Sequence, residues 1–110
     1  DLQRQGFRKA LNAGVKIAYG TDAGVYPHGD NAKQFPYMVR YGMSPMQAIQ
    51  SATIEAARLL NKQDELGSVA PGKAADLVAM ACNPVEKIEC TAEVQWVIKD
   101  GVIIQGKANK

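Results

Sequence analysis

Residues 15–24 read VKIAYGTDAG. The run 15–20 is short, rich in β-favouring side chains and bounded by Gly14 and Gly20, which predicts a buried strand. Before it, residues 2–13 (LQRQGFRKALNA) place Leu2, Phe7, Ala10 and Leu11 on one helical stripe, with Gly14 where a left-handed C-cap belongs. A helix, a tight glycine and a strand make an αβ unit, the pattern of parallel α/β folds. After the strand, residues 21–31 (TDAGVYPHGDN) hold two Gly, one Pro, two Asp and one Asn, so they read as a loop. Loops at the C-terminal ends of parallel strands carry the functional groups in such folds.

Further along, residues 32–41 read as helical, with Asn31 as N-cap and Pro36 tolerable only in a first turn. Ser44-Pro45 is a helix start, Ser as N-cap and Pro at the first helical position. Met46, Ala48, Ile49 and Ala52 form its apolar face. Thr53 opens a second short helix, with Ala56, Ala57, Leu59 and Leu60 inward. Residues 61–65 (NKQDE) are wholly polar, and no helical period follows. Short β segments are expected at 67–69, 76–81, 94–99 and 102–105. Asp100-Gly101 joins the last two as a type I′ hairpin, and Pro71-Gly72 marks another turn. A boundary near residue 62 therefore separates αβα material at 1–62 from a small antiparallel sheet at 63–110. Neither part has the strands or the core of a domain by itself.

Composition sets the outer bounds. The chain has 110 residues, 46% hydrophobic and 22% charged, close to a globular average. Thirteen Lys+Arg against eleven Asp+Glu give +2, and neither half is basic enough to imply a nucleic-acid or anionic-membrane partner. No apolar stretch approaches the ~20 residues of a membrane helix. Residue 1 is Asp rather than Met, so an incomplete chain is expected. No signal peptide is visible, and the expected compartment is the cytoplasm, with any upstream signal lying outside these residues.

Three residues of the 21–31 loop are candidates for chemistry. Asp22, flanked by Gly20 and Gly24, is a metal ligand or general base, or else caps a turn. His28, the single histidine, binds substrate or is an ordinary surface histidine. Tyr26 faces a pocket or simply packs. One histidine cannot build a His-rich metal site, so further ligands must come from elsewhere. Asp76 introduces a strand and reads as structural, and 87–93 reads as a solvated loop. Cys82 and Cys90 have no CxxC spacing; they are small buried hydrophobes or, alternatively, a disulfide.

Four segments, in order, resemble the C-terminal end of the metal-dependent amidohydrolase superfamily. Residues 15–24 look like the last barrel strand with its metal-binding Asp. Residues 43–60 (MSPMQAIQSATIEAARLL) look like the helical pair that follows. Residues 67–80 (GSVAPGKAADLVAM) carry the Pro-Gly-Lys-x-Ala-Asp-Leu signature of the return into a small β-domain. Residues 94–106 (VQWVIKDGVIIQG) look like its closing hairpin. The loop 22–31 (DAGVYPHGDN) is similar to the prolidase-like and Xaa-Arg dipeptidase branch, with imidazolonepropionase-like enzymes nearby.

The resemblance implies an α/β fold: the C-terminal end of a TIM (β/α)8 barrel plus part of a small β-sandwich domain. It implies hydrolysis of C–N bonds at a site of one or two zinc ions, with Asp22 as ligand and proton carrier and with His28 and Tyr26 binding substrate. The family's His-x-His, bridging Lys and further pair of His are absent from this sequence. The implied partners are therefore a small-molecule or dipeptide substrate, and the remainder of the enzyme or another copy of the chain. These 110 residues alone are expected to be inactive. The alternative is a non-catalytic module that completes another polypeptide's fold.

Overall fold

A computed structural model describes residues 2–20 and 32–106. Among the described residues four helices come first: α1 (Leu2–Asn12), α2 (Gln34–Arg40), α3 (Pro45–Ala52) and α4 (Ile54–Leu59). Three strands follow: β1 (Leu77–Met80), β2 (Val94–Lys99) and β3 (Val102–Gly106), with a 3₁₀ turn at Ile88–Ala92 between β1 and β2. The chain is thus mixed α/β, and the change from helix to strand comes after residue 60.

Local chemistry sets the helix ends. At the end of α1, Gly14 adopts φ +80. Its N–H donates to the Leu11 carbonyl at 3.1 Å, and the Val15 N–H donates to the Ala10 carbonyl at 3.1 Å. This paired closure satisfies two carbonyls that the helix leaves orphaned. Asn61, at φ +58, closes α4 in the same way, with Lys62 N–H donating to the Ala57 carbonyl at 2.8 Å. Helix α3 starts in a capping box. The Gln47 N–H donates to Ser44 Oγ at 3.1 Å, and the Ser44 N–H donates to Gln47 Oε1 at 2.9 Å. Pro45 occupies the first helical position, where its missing N–H costs nothing. Pro36 sits in the first turn of α2, the one place a helix accepts it.

The buried cluster is Met38, Met43, Ala48 and Ile88. Phe7, Leu11, Ile17, Tyr19, Phe35, Val39 and Ile49 pack against it. The core therefore lies among α1, α2 and α3, and Ile88 reaches it from the 3₁₀ turn between β1 and β2. The sheet has the order β1-β2-β3, antiparallel throughout. Asp100 (φ 53) and Gly101 (φ 79) both have positive φ, the backbone of a type I′ turn, as their identities predict. Val78, Val102, Ile103 and Ile104 are exposed on this sheet, as are Leu59, Leu60 and Val69 nearby.

Four expectations change. Residues 15–20 are not a strand: the Val15 N–H donates to the Ala10 carbonyl of α1 and the Tyr19 N–H to the Ser51 carbonyl of α3. A strand exists only with a neighbour, and the described residues supply none here. Residues 67–69 are likewise bends, not a β segment. Residues 87–93 are not a solvated loop, because Ile88, Cys90 and Thr91 are buried in the 3₁₀ turn. Cys82 and Cys90 are not separate hydrophobes. They form a disulfide with their Cα atoms 5.5 Å apart.

Candidate functional site

The residues singled out by sequence, Asp22, Tyr26 and His28, lie outside the described residues. What the structure places is the framework on either side of them. On the N-terminal side, Ile17 and Tyr19 face the core while the Lys16 side chain is 81% exposed, an alternation set by one buried face. Lys16 Nζ lies 3.8 Å from Glu55 on α4, and Arg58 shares that carboxylate at 3.1 Å. Such exposed pairs add little stability.

Two contacts fix Tyr19, three residues before Asp22. Its backbone N–H donates to the Ser51 carbonyl at 2.8 Å. Ser51 is buried in α3, and its hydroxyl turns back to the Ala48 carbonyl at 2.6 Å, so the anchor is itself held. The Tyr19 ring stacks on Phe35 with centroids 4.5 Å apart and planes at 28°. Phe35 lies in the first turn of α2, on the other side of 21–31 in sequence. The stack therefore joins the chain before the loop to the chain after it. Offset aromatic pairs contribute roughly 0.5–1.5 kcal/mol beyond their buried area. Sequence reading named neither Tyr19, Phe35 nor Ser51 as a contributor; the β-favouring character of Tyr19 was the signal, and its partners are non-local.

The second region singled out, 71–77, is structural. Lys73 Nζ donates to the Gln63 carbonyl at 2.6 Å and to Ser68 Oγ at 2.7 Å, pinning the turns between α4 and the sheet. Ala74 N–H donates to the Glu65 carbonyl at 2.9 Å. Asp76 Oδ1 accepts the Asp100 backbone N–H at 2.8 Å, and Lys99 Nζ lies 3.3 Å from Oδ2. Gly101 N–H donates to the Ala75 carbonyl at 3.0 Å. The carboxylate thus holds the hairpin tip, as its expected structural role requires.

That hydrogen bond has a pH consequence. The Asp100 amide, opposed by partial desolvation and helped by Lys99, holds the Asp76 carboxyl below its ordinary value of 3.8. With a folded value below the unfolded one, its contribution is complete above the ordinary value. It is lost as pH falls through the lower folded value. The melting temperature should therefore drop on acidification below pH 3.8. Melting curves of Asp76→Asn across that window should fall less steeply; equal slopes would remove Asp76 from the account.

Among the described residues, one cluster has metal-type donors close together: Cys82, Cys90 and Glu93, within 4.8 Å. Its sulfurs are spent in the disulfide, and a thiolate, not a disulfide sulfur, binds metal. The described residues therefore do not make a zinc site, which takes about four donors. Asp22 would add one oxygen donor from this chain. No described helix is long and apolar enough to cross a membrane.

Comparison with known proteins adds the following. The Amidohydrolase family profile matches residues 2–104. Ochratoxinase of Aspergillus niger is 36% identical over 111 aligned positions, covering 96% of this chain and 23% of that protein. Imidazolonepropionase of Fusobacterium nucleatum is 35% identical over 75 positions, covering 64% of this chain and 18% of that protein. The crystal structure of a Xaa-Pro dipeptidase with methionine in its active site superposes with a TM-score of 0.90 at 55% identity. It covers 94% of this chain and 25% of its own. The chain thus spans about a quarter or less of the length of these relatives.

Proposed function

The chain belongs to the amidohydrolase family, and from that premise we propose that it supplies the C-terminal part of a zinc-dependent hydrolase of C–N bonds, dipeptidase-like in substrate. In this reading residues 1–62 close a (β/α)8 barrel and 63–110 complete a small β-domain. The observation that carries the dipeptidase reading is the 55% identity, sustained over 94% of the chain, to a Xaa-Pro dipeptidase.

Asp22 is the chain's contribution to the reaction. Zinc, when bound, lowers the pKa of a water ligand to ~7 and polarises a carbonyl. The Asp22 carboxylate would be one of the groups that hold that ion, and it takes the proton released as water oxygen bonds to the carbonyl carbon. It returns the proton to the nitrogen as the C–N bond breaks, base first and acid second. An Asp suits both tasks because its two oxygens offer separate positions for metal and proton. His28 binds the substrate's carboxylate or scissile group, and Tyr26 packs against the substrate. Tyr19 and Phe35 act through Asp22 by tying together the chain on the two sides of 21–31.

The other ligands come from the remainder of the enzyme, because a second copy of these residues would bring one more histidine; the rest of the enzyme or another copy of the chain would cover the exposed surface. The exposed apolar side chains of β3, Val102, Ile103 and Ile104, fit a chain that is covered by further polypeptide. The test is a dipeptide panel, Xaa-Pro and Xaa-Arg, offered to the isolated 110 residues and to the polypeptide extended through the upstream barrel. Free amino acids should appear only with the extended form. Failure of the extended form on every peptide would favour a non-catalytic module.

A further inference from the structure

The connection between β1 and β2 is built as a closed peg. Ala81 N–H donates to the Glu93 carbonyl at 3.0 Å, joining the two stems of the loop. Within it, Asn83 Oδ1 accepts the Val85 N–H at 3.0 Å, and the Asn83 carbonyl accepts those of Glu86 and Lys87 at 3.2 and 3.0 Å. These bonds turn the chain so that Ile88 enters the cluster of Met38, Met43 and Ala48. Thr91 Oγ1 donates to the Ile88 carbonyl at 2.7 Å, closing the 3₁₀ turn behind it. Cys90 is fully enclosed, Cys82 is exposed, and the bond between them spans eight positions of sequence.

We propose that the Cys82–Cys90 disulfide is an oxidation-dependent latch that holds Ile88 against α2 and so ties the sheet to the helical layer. Ile88 is the one member of the buried cluster that comes from the sheet half of the chain. Its insertion orders the whole 82–90 loop. The cross-link removes part of that ordering cost from folding by restricting the unfolded chain. Without it, the loop's remaining hydrogen bonds are local and the peg opens more readily.

The burial asymmetry sets how the latch opens. A thiolate of a dithiol reductant reaches the exposed Cys82 sulfur, and the S–S bond breaks with Cys90 leaving as thiolate and taking up a proton. The reductant's second thiolate then attacks its own sulfur in the mixed disulfide and releases Cys82, which also takes up a proton. One protein disulfide becomes two thiols, and the dithiol becomes a cyclic disulfide. Structural disulfides persist where thiols are oxidised, so the latch assigns the mature protein to such a compartment rather than to the reducing cytoplasm that the sequence alone led one to expect.

The test uses the full-length protein, alkylated in denaturant at lysis and weighed, followed by melting of the native protein with and without dithiothreitol. We expect no label on Cys82 or Cys90, and a fall in melting temperature of about 2–4 °C on reduction. The Cys82→Ser/Cys90→Ala double variant should melt at the reduced temperature and ignore the reductant. If that variant does not fold, reduction of the wild type carries the test alone. In Ile88→Ala the shift on reduction should shrink, because the peg the latch holds is gone. Labelling of both cysteines at lysis, an unchanged melting temperature on reduction, or an undiminished shift in Ile88→Ala would each overturn the proposal.

Discussion

Replacing Asp22 by Asn is expected to cost the full-length enzyme at least ~10²-fold in turnover, the usual cost of removing a positioned acid–base group. Asn keeps the size and one carbonyl oxygen of Asp, but it carries no charge and cannot accept a proton at neutral pH. A turn-capping role would survive the change, because Asn caps turns as Asp does. The substitution therefore separates the two readings of this residue. The assay is turnover on the dipeptide panel, with zinc content and the melting curve measured on the same samples. Lower turnover with an unchanged melting curve supports the assignment. Near-wild-type turnover with a normal zinc load would sink it.

Gly67→Ala should destabilise the fold by about 2–4 kcal/mol, combining a left-handed backbone penalty with overpacking. Gly67 has φ +95, where an L side chain is strained. A Cβ there would stand 2.8 Å from the Ala57 Cβ and 3.0 Å from both the Ile54 Cα and the Thr53 carbonyl oxygen. Two of these three atoms are backbone at the start of α4, so no rotamer change relieves the clash. The control is Gly72→Ala. Gly72 has a similar φ of +89 but nothing within 4 Å of the added carbon. It should lose only the backbone part, ~1 kcal/mol. Thermal melts of the full-length protein should place Gly67→Ala roughly 2–5 °C below wild type and Gly72→Ala within about 1 °C of it. Equal shifts would mean that the approach of 67 to α4 contributes nothing.

The sequence was most legible where the determining chemistry is local. Ser44-Pro45 announces α3 because cap, proline and Gln47 lie within four residues. Asp100-Gly101 announces the β2–β3 hairpin because the turn needs two positive φ angles side by side. Gly14 and Asn61 stop their helices for the same reason, although only the glycine was expected to do so. The misreadings share a different cause. A strand over 15–20 requires neighbours that the described residues do not contain. Ile88 reads as part of a charged loop, since its neighbours include Lys87 and Glu89; its burial comes from Met38, fifty positions earlier. Cysteine spacing does not reveal that a tight turn at Asn83 brings Cys82 and Cys90 together.

The candidate site was legible in part and by another route. Asp22 stands out in the sequence through the glycines around it and the order of motifs along the chain, and it lies outside the described residues. Its supports did not stand out, because the Tyr19–Phe35 stack and the Ser51 carbonyl join residues 16 and 32 positions apart. Lys73 belongs to the Pro-Gly-Lys signature. Its work, holding Gln63 and Ser68, is visible only once the turns are folded.

The central claim is zinc-dependent C–N hydrolysis by the enzyme that these residues complete. Its most direct measurement is release of free proline from an Xaa-Pro dipeptide by the full-length protein, before chelation, after chelation and after zinc is returned. The account predicts release that stops on chelation and recovers with zinc. Release that persists unchanged in fully metal-stripped protein would contradict it.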